Sequence, residues 1–265
     1  MRKLLLSTFT ALALGGIFPA QANDDAVAKG MAIAEEWDRR DQGFGDTVAE
    51  LKMHLENRHG ESSSREMWIK TLEVPGHEDG DKSLVYFDKP RDVAGTALLS
   101  YAHILDPDDQ WLYLPALKRI KRISSTNKSG PFVGSEFAFE DISAQELKKY
   151  SYKWLRDEAC GDLECFVVEQ IPQYENSGYT RMVTWYDKQE YRQIKTEYYD
   201  RKGELLKTLN FNNYTQYLGK YWRAGEMAMV NHQTGKKTVL SYSNYQFQTG
   251  LSDGDFKKNT LKRLR

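Results

Sequence analysis

The chain has 265 residues, of which 28% are charged and 12% are aromatic. Lysine and arginine total 37 against 38 aspartate and glutamate, so the formal net charge of −1 does not indicate a general nucleic-acid-binding protein. Tyrosine is the commonest aromatic residue, with 16 copies, which favours β-strands over a helical bundle.

Residues 1–22 have the pattern of a secretory signal peptide. Arg2 and Lys3 precede an apolar run that ends at Phe18 and is too short to cross a membrane comfortably. Ala20-Gln-Ala22 supplies the small residues of a cleavage site. We therefore expect cleavage and export to the periplasm of a Gram-negative cell; an uncleaved anchor is the less favoured alternative.

The mature protein is then predicted to be one domain, residues 23–265, because no repeat or low-complexity linker interrupts it. Residues 25–40 are predicted to form a helix, since apolar side chains recur there with a period near 3.6 residues. We expect its apolar stripe to pack against the inside of a sheet. The stripe consists of Val27, Met31, Ala34 and Trp37.

Residues 48–57 alternate apolar and polar side chains, which predicts a half-buried antiparallel strand. Residues 65–74 and 84–87 continue the predicted sheet. Residues 93–105 carry alanine, leucine and glycine without alternation, which we interpret as a loop with a short helix, a candidate lid.

A central hairpin is predicted next. Trp111, Tyr113 and their neighbours favour a strand that Pro115 ends, and residues 118–123 form the second strand a few residues later. Residues 132–142 mix aromatic and acidic side chains, which suggests a short helix or lid.

The hairpin carries the densest basic run of the chain, Lys118, Arg119, Lys121 and Arg122. On a strand these charges alternate between the two faces. They could protect a sheet edge against aggregation, or they could dock an acidic partner or an anionic headgroup. The sequence favours neither reading.

The second half contains regular short strands with tight turns between them, which predicts one up-and-down sheet of about eleven strands in all. The predicted strands are residues 150–156, 163–171, 179–186, 192–199, 205–211, 221–222 with 226–232, and 237–245.

Cys160 and Cys165 are the only two cysteines. In an oxidising compartment a disulfide is the default, and Gly161-Asp162 allows the turn that a bridge requires. A redox pair or metal site is less favoured because the spacing is not CxxC and no histidine is near. We find no catalytic constellation, zinc spacing or phosphate-binding loop, so we expect no enzyme, metal or cofactor.

Three segments together resemble the outer-membrane lipoprotein-sorting protein family, which is related to the periplasmic carrier LolA and its acceptor LolB. They are the central stretch, with Trp111-Leu-Tyr113-Leu-Pro115 and Ser129-Gly-Pro-Phe132 followed by Gly134-Ser-Glu-Phe137; the turn Asn231-His-Gln-Thr-Gly235; and Leu251-Ser-Asp-Gly-Asp-Phe256. The resemblance implies a mainly β fold: a single incomplete antiparallel barrel closed at one mouth by the N-terminal helix and short lid helices.

The resemblance also implies an acyl-chain cavity and no catalytic residues. An apolar strand face can fill a core or line a cavity, and the resemblance favours the cavity. The expected lining is Ala49, Leu51, Met53, Leu55, Met67, Ile69, Val85, Phe87, Leu112 and Leu114.

The expected function is that of a monomeric periplasmic carrier that takes lipids or lipoproteins towards the outer membrane, with an inner-membrane exporter of the RND type as partner. No cysteine follows the apolar run, so a lipid-anchored acceptor is not expected. The alternative is a sensor or scaffold of the same fold that binds protein partners.

Overall fold

The computed structural model describes residues 19–75 and 79–264, with side chains from residue 23. Residues 1–18 of the predicted signal peptide lie outside the described residues. A helix, α1, spans Pro19–Asp41 and contains the predicted helix. None of the helices in the described ranges has the length and apolar character needed to cross a membrane.

Within the described residues, thirteen antiparallel strands form one open sheet, in the order β6-β5-β4-β3-β2-β1-β13-β12-β11-β10-β9-β8-β7. Two meanders are therefore joined where the first strand pairs with the last, and β6 and β7 are the ends of the order. The strands are β1 Asp46–Glu56, β2 Ser62–Leu72, β3 Asp79–Lys89, β4 Ala97–His103, β5 Asp109–Leu114, β6 Arg119–Ile123, β7 Tyr150–Cys160, β8 Leu163–Pro172, β9 Arg181–Asp187, β10 Gln193–Tyr199, β11 Leu205–Tyr217, β12 Tyr221–Asn231 and β13 Lys237–Phe247.

The strand count of about eleven was wrong, chiefly because β4 was interpreted as a loop and lid helix. Leu98 packs into the cluster on one face of the sheet, whereas Ala97 and Leu99 pack into the cluster on the other. A strand buried on both faces shows no alternation of apolar and polar residues, so its period is hidden. The two short strands predicted at 221–222 and 226–232 are one continuous strand, β12.

We call the face of the sheet that carries Met53, Leu240 and Met229 the inner face. On β1 the predicted alternation is confirmed: Ala49, Leu51 and Met53 are buried, and the intervening Glu50 and Lys52 are exposed. The central hairpin of β5 and β6 is also confirmed, with Leu112 opposite Lys121.

Helix α1 packs against β7 at one end of the sheet. Gly30 permits this close approach, because a Cβ there would lie 2.5 Å from the backbone nitrogen of Trp154. Ala34 packs with Val168 and Tyr186. Since Tyr186 lies four residues from Met182, which belongs to the inner-face cluster, the helix covers the inner face. Met31, Ala34 and Trp37 of the predicted stripe pack there, but Val27 was wrongly included, because it is 42% exposed.

The segment between β6 and β7 also covers the inner face. We call residues 131–142 the plug. The plug contains two 3-10 turns, Phe132–Gly134 and Phe139–Asp141, in place of the predicted lid helix. Phe132, Phe137 and Phe139 are buried against Met53 and Phe87 in the inner-face cluster. The plug therefore occupies space that an empty barrel would leave open.

The outer face of the first meander is covered by the C-terminal segment. Two 3-10 helices, Asp253–Phe256 and Lys258–Arg263, place Phe256 and Leu261 against Leu84 and Leu99. This second layer is what buries β3 and β4 on both sides.

The predicted disulfide is confirmed. Cys160 ends β7 and is bonded to Cys165 of β8, with 6.0 Å between their Cα atoms. Gly161 has a positive φ of 66° in the turn between the two strands, a conformation that glycine adopts at little cost.

Candidate acyl-chain site on the inner face

All ten residues predicted to line the cavity lie together in the inner-face cluster. Seven are buried, and Leu55, Ile69 and Leu114 are partly buried against them. The seven are Ala49, Leu51, Met53, Met67, Val85, Phe87 and Leu112.

An apolar row crosses the inner face at right angles to the strands. Met53 of β1 lies opposite Leu240 of β13, which lies opposite Met227 of β12. Met227 in turn lies opposite Phe211 of β11. Neighbouring strands are about 4.8 Å apart, so the row spans roughly 14 Å.

A cavity of about 100 Å³ lies between the sheet and the plug. Ligand pockets for small molecules typically hold about 300–1,000 Å³, so this cavity is too small for a long acyl chain while the plug is in place. Five of the ten predicted residues line it: Leu51, Met53, Met67, Ile69 and Val85. The other five pack around it, and Phe132, Phe137 and Ile142 of the plug close it.

Arg65 ties the plug to the sheet. Its guanidinium donates a hydrogen bond to the carbonyl oxygen of Val133 and lies 3.8 Å from the sulfur of Met53. Burial lowers the pKa of Arg65. A partly buried guanidinium that holds a backbone carbonyl is a polar contact inside an otherwise apolar site.

A second tie is the ion pair between Asp141 of the plug and Lys207 of β11. Their charged groups are 2.6 Å apart, and each side chain is 4% exposed. The hydroxyl of Tyr179 donates to Asp141 at 2.8 Å, and the backbone nitrogen of Ala138 donates at 2.6 Å. Lys207 also donates to the carbonyl oxygen of Glu136 at 3.0 Å. Both charges are therefore satisfied, which buried ions require.

A third tie runs from Glu140 to the loop before β9. Glu140 accepts hydrogen bonds from Tyr174 at 3.1 Å, Ser177 at 3.0 Å and the backbone nitrogen of Gly178 at 2.9 Å. Burial raises the pKa of Glu140, and the neighbouring Asp141 raises it further. The plug is thus apolar where it faces the sheet and polar where it is anchored.

The basic hairpin lies away from this cavity. Lys118, Arg119, Lys121 and Arg122 are all exposed, and β6 is the last strand of the sheet. Arg119 and Lys121 lie opposite Leu114 and Leu112 on the inner-face side. Arg122, on the other side, donates from Nε to Asp109 at 3.1 Å. Charge is therefore present on both faces of the edge strand, as predicted.

A larger cleft of about 530 Å³ lies where the end of α1 meets β10–β13. Met227 and Tyr242 line both this cleft and the small cavity, so the two spaces share a wall. The sequence did not reveal the cleft. Its other walls combine aromatic residues (Trp37, Tyr191, Phe211, Tyr214, Trp222 and Tyr245) with basic ones (Arg39, Arg40, Arg192, Lys220 and Arg223).

Known structures share this architecture. The chain is 59% identical to an outer membrane lipoprotein-sorting protein domain from Vibrio parahaemolyticus, with a TM-score of 0.87 over 89% of this chain and 100% of that one. The chain belongs to the outer-membrane lipoprotein-sorting protein family. The resemblance found in the central stretch is thereby confirmed.

More distant structures match this lipoprotein-sorting family member over a similar length. A DUF1329 family protein from Desulfovibrio piger is 29% identical, with a TM-score of 0.84 over 89% of this chain and 99% of that one. A LolA superfamily protein from Nitrosomonas europaea, 23% identical, has a TM-score of 0.69 over 87% and 98%, which shows a LolA-like fold. A family model described as "-like: Uncharacterized protein" matches residues 79–263. No curated protein matches the chain.

Some polar residues of the site were missed from the sequence, and one of them had a usable signal. Leu205, Lys207, Leu209 and Phe211 alternate along β11, so a lysine lies on an otherwise apolar face of the strand. A charge in that position predicts a buried partner. The signal for Arg65 was weaker: on its face of β2 the apolar Met67 follows it but the polar Ser63 precedes it, so the pattern does not decide between burial and exposure.

Proposed function

We propose that this member of the lipoprotein-sorting family is a periplasmic carrier that binds acyl chains of lipids or lipoproteins and takes them towards the outer membrane. The observation that carries the proposal is the continuous apolar inner face, whose cavity is closed by a separate aromatic plug. The proposed lining includes all ten predicted residues, because all ten pack in the same cluster.

Binding of a long chain requires the plug to move, since the cavity holds only about 100 Å³. An acyl chain would replace Phe132, Phe137 and Phe139 against the inner face. Each buried methylene contributes about 0.8 kcal/mol, which offsets the apolar contacts that the plug gives up. The polar ties through Arg65 and Asp141 would return the plug when the chain leaves. The family membership and the exchange of one apolar surface for another support this mechanism.

Loading requires a partner at the inner membrane, and we propose an exporter of the RND type for this role. Release of the bound chain requires a further site with competing affinity. The exposed basic hairpin is the proposed docking surface, through Lys118, Arg119, Lys121 and Arg122. An edge strand with charge on both faces suits an acidic partner or an anionic membrane surface. The same charges also protect the edge from strand addition, so the two roles are compatible.

Acyl-chain binding can be tested directly. Protein purified from the periplasm should release stoichiometric lipid on organic extraction, identified by mass spectrometry, and delipidated protein should bind a fluorescent acyl probe with saturation. Absence of both extracted lipid and probe binding would contradict the carrier proposal.

A sensor or scaffold role for the same fold is the second candidate, and the exposed basic hairpin is the observation that favours it. In that case the hairpin would bind its partner whether or not the inner face holds a chain. Partner binding by delipidated and probe-loaded protein separates the two roles, because a carrier should lose affinity for its loading partner once it is loaded.

A further inference from the structure

The aromatic and basic cleft beside α1 is large enough to hold a ligand, and it shares a wall with the small cavity. It can therefore form a second part of the same site. Its volume of about 530 Å³ falls within the range of ordinary ligand pockets. The apolar row from Met53 ends at Met227 and Phe211, which line the cleft. Methionine is unbranched and adaptable, so movement of Met227 could join the two spaces.

Arg192 is the best-positioned charge in the cleft. Its Nε donates to Asp187 at 2.8 Å, and Asp187 is fully buried and also accepts backbone hydrogen bonds. The guanidinium lies over the rings of Trp222, at 4.6 Å, and Tyr214, at 5.3 Å. Within residues 19–75 and 79–264, its side-chain hydrogen bonds run through Nε alone. The bond through Nε therefore fixes the guanidinium, and the N–H groups of its two terminal nitrogens can donate to a ligand.

Two more arginines line the cleft. They differ in setting, because the rings near the Arg223 guanidinium are Phe44, Tyr221 and Phe247, which lie outside the cleft lining. Arg40 donates to Glu36 at 2.7 Å and to the carbonyl oxygen of Gln189 at 3.0 Å, and its guanidinium lies 4.7 Å from the ring centre of Tyr191. Arg223 pairs with Asp41, which is 43% exposed on its side chain. Five basic and two acidic side chains line the cleft, so its walls carry a positive excess.

The chemistry of these walls selects an anion over a cation. A quaternary ammonium group would need free aromatic faces and a wall without excess positive charge. Arg192 already lies over Trp222 and Tyr214, and Arg40 lies over Tyr191. The excess of basic side chains in the cleft repels a cation near the remaining rings. The planar forks of the guanidinium groups match the paired oxygens of a carboxylate or phosphate.

We infer that the cleft binds the anionic headgroup of a lipid whose acyl chain lies on the inner face. The headgroup, a carboxylate or phosphate, is bound by Arg192 and Arg223, and the chain passes Phe211 and Met227 towards Met53. This inference rests on the proposed carrier function and names the class of lipid carried.

Titration with matched ligands tests the inference. Delipidated full-length protein is titrated with hexadecyl phosphate, hexadecanoate and the neutral monohexadecanoylglycerol, with inorganic phosphate as a headgroup without a chain. Trp37 and Trp222 line the cleft, so tryptophan fluorescence can report its occupancy. We expect both anionic lipids to bind more tightly than the neutral one and inorganic phosphate not to displace them at equal concentration.

Two variants locate the headgroup. Arg192→Met should weaken both anionic lipids roughly 10- to 100-fold, the cost of a lost charge-assisted hydrogen bond, and should change neutral-lipid affinity less than about threefold. Because Arg192 also pairs with the fully buried Asp187, the variant should be less stable than the wild type, and circular dichroism checks that it is folded before it is titrated. Arg223→Gln is the second variant, because its partner Asp41 is 43% exposed and stays in contact with solvent when the arginine charge is lost. Arg156→Gln is the control: Arg156 is an exposed arginine near the ring of Trp185, in β7 and outside the cleft, and its loss should change nothing.

The outcomes distinguish the two proposals. If no lipid binds the wild-type protein, the carrier function itself is wrong. If all three lipids bind equally and neither cleft variant discriminates between them, acyl binding stands but the headgroup assignment is wrong. If inorganic phosphate displaces the anionic lipids at equal concentration, the cleft is a site for a free anion and the inference is overturned.

Discussion

Asp141 of the plug and Lys207 of the sheet form a buried ion pair, with their charged groups 2.6 Å apart at the edge of an apolar cavity. Buried pairs add little net stability over an apolar pair, but loss of one partner leaves the other charge uncompensated. The pair therefore fixes where the plug sits on the inner face.

The first prediction concerns this pair. Lys207→Met should lower the free energy of unfolding by about 3–5 kcal/mol, because Asp141 is left buried without its counter-charge. Urea denaturation measures the change. Lys237→Met is the matched control: its partner Glu56 is at 2.8 Å but the lysine is 49% exposed, so the cost should be about 0–1 kcal/mol. Equal costs for the two variants would contradict the structural role of the buried pair.

The second prediction concerns the cavity. Met53→Glu should abolish acyl-probe binding, since the carboxylate would have to be desolvated beside the chain. The protein should still fold, although less stably, because the Arg65 guanidinium lies 3.8 Å from the replaced sulfur and supplies a counter-charge. Lys52→Glu, on the exposed face of the same strand, is the control.

Probe titration and circular dichroism melting on the same samples decide the outcome. A folded Met53→Glu variant with wild-type probe affinity would remove this face from the binding site. An unfolded variant would mean that Met53 belongs to a packed core that does not open.

The third prediction concerns pH. The pKa of Asp81 is raised to about 7, mainly by burial and also by the carboxylates of Glu146, Glu73 and Asp41, while a hydrogen bond from the backbone nitrogen of Val74 acts in the opposite direction. The folded protein thus binds more protons than the unfolded chain between the ordinary Asp pKa of 3.8 and about 7. The free energy of unfolding should fall as pH rises through that window.

Asp81→Asn tests this dependence, because an amide does not titrate. Denaturation midpoints measured from pH 4 to pH 8 should decline less steeply in the variant than in the wild type, and the variant should be the more stable of the two at pH 8. The control is Asp88→Asn, which removes an exposed carboxylate of the same strand. An unchanged slope in Asp81→Asn would assign the pH dependence to other groups.

The fourth prediction concerns export and the disulfide. The intact mass of periplasmic protein should correspond to a chain that starts at Asn23 with Cys160 and Cys165 oxidised. Replacement of both cysteines by alanine should lower the free energy of unfolding by about 2 kcal/mol, because the loop that the bridge closes is short. A retained signal, or free thiols in non-reduced protein, would contradict the prediction.

The fifth prediction concerns the basic hairpin. Replacement of Lys118, Arg119, Lys121 and Arg122 by serine should weaken co-sedimentation with inner-membrane vesicles and reduce its dependence on salt. The melting temperature should change little, since exposed charges contribute little to stability. Unchanged co-sedimentation at every salt concentration would leave these residues with edge protection alone.

Much of the inner face could be predicted from the sequence. The alternation in β1 identified Ala49, Leu51 and Met53 as one buried face, because successive side chains of a half-buried strand point alternately to the core and to solvent. The sequence also predicted the turns of the second meander and the disulfide between Cys160 and Cys165. Both depend on residues that are close together in the chain.

Other features were decided by contacts between distant segments. β4, which pairs with β3 and β5, could not be predicted as a strand because both of its faces are buried. The C-terminal residues Phe256 and Leu261 cover the outer face and the plug covers the inner face, so apolar and polar residues do not alternate along β4. The walls of the cleft likewise come from distant segments: Trp37 of α1 and Trp222 of β12, which both line it, are 185 positions apart.

The sequence by itself thus determined the family, the up-and-down sheet and which strand faces are apolar, because these follow from local period and motif. Only the tertiary structure decided that the inner face is occupied by a plug, that Asp141 meets Lys207, and that Arg192 stands over aromatic rings beside the apolar row. Such contacts depend on the register and packing of segments far apart in the chain, which local patterns do not encode.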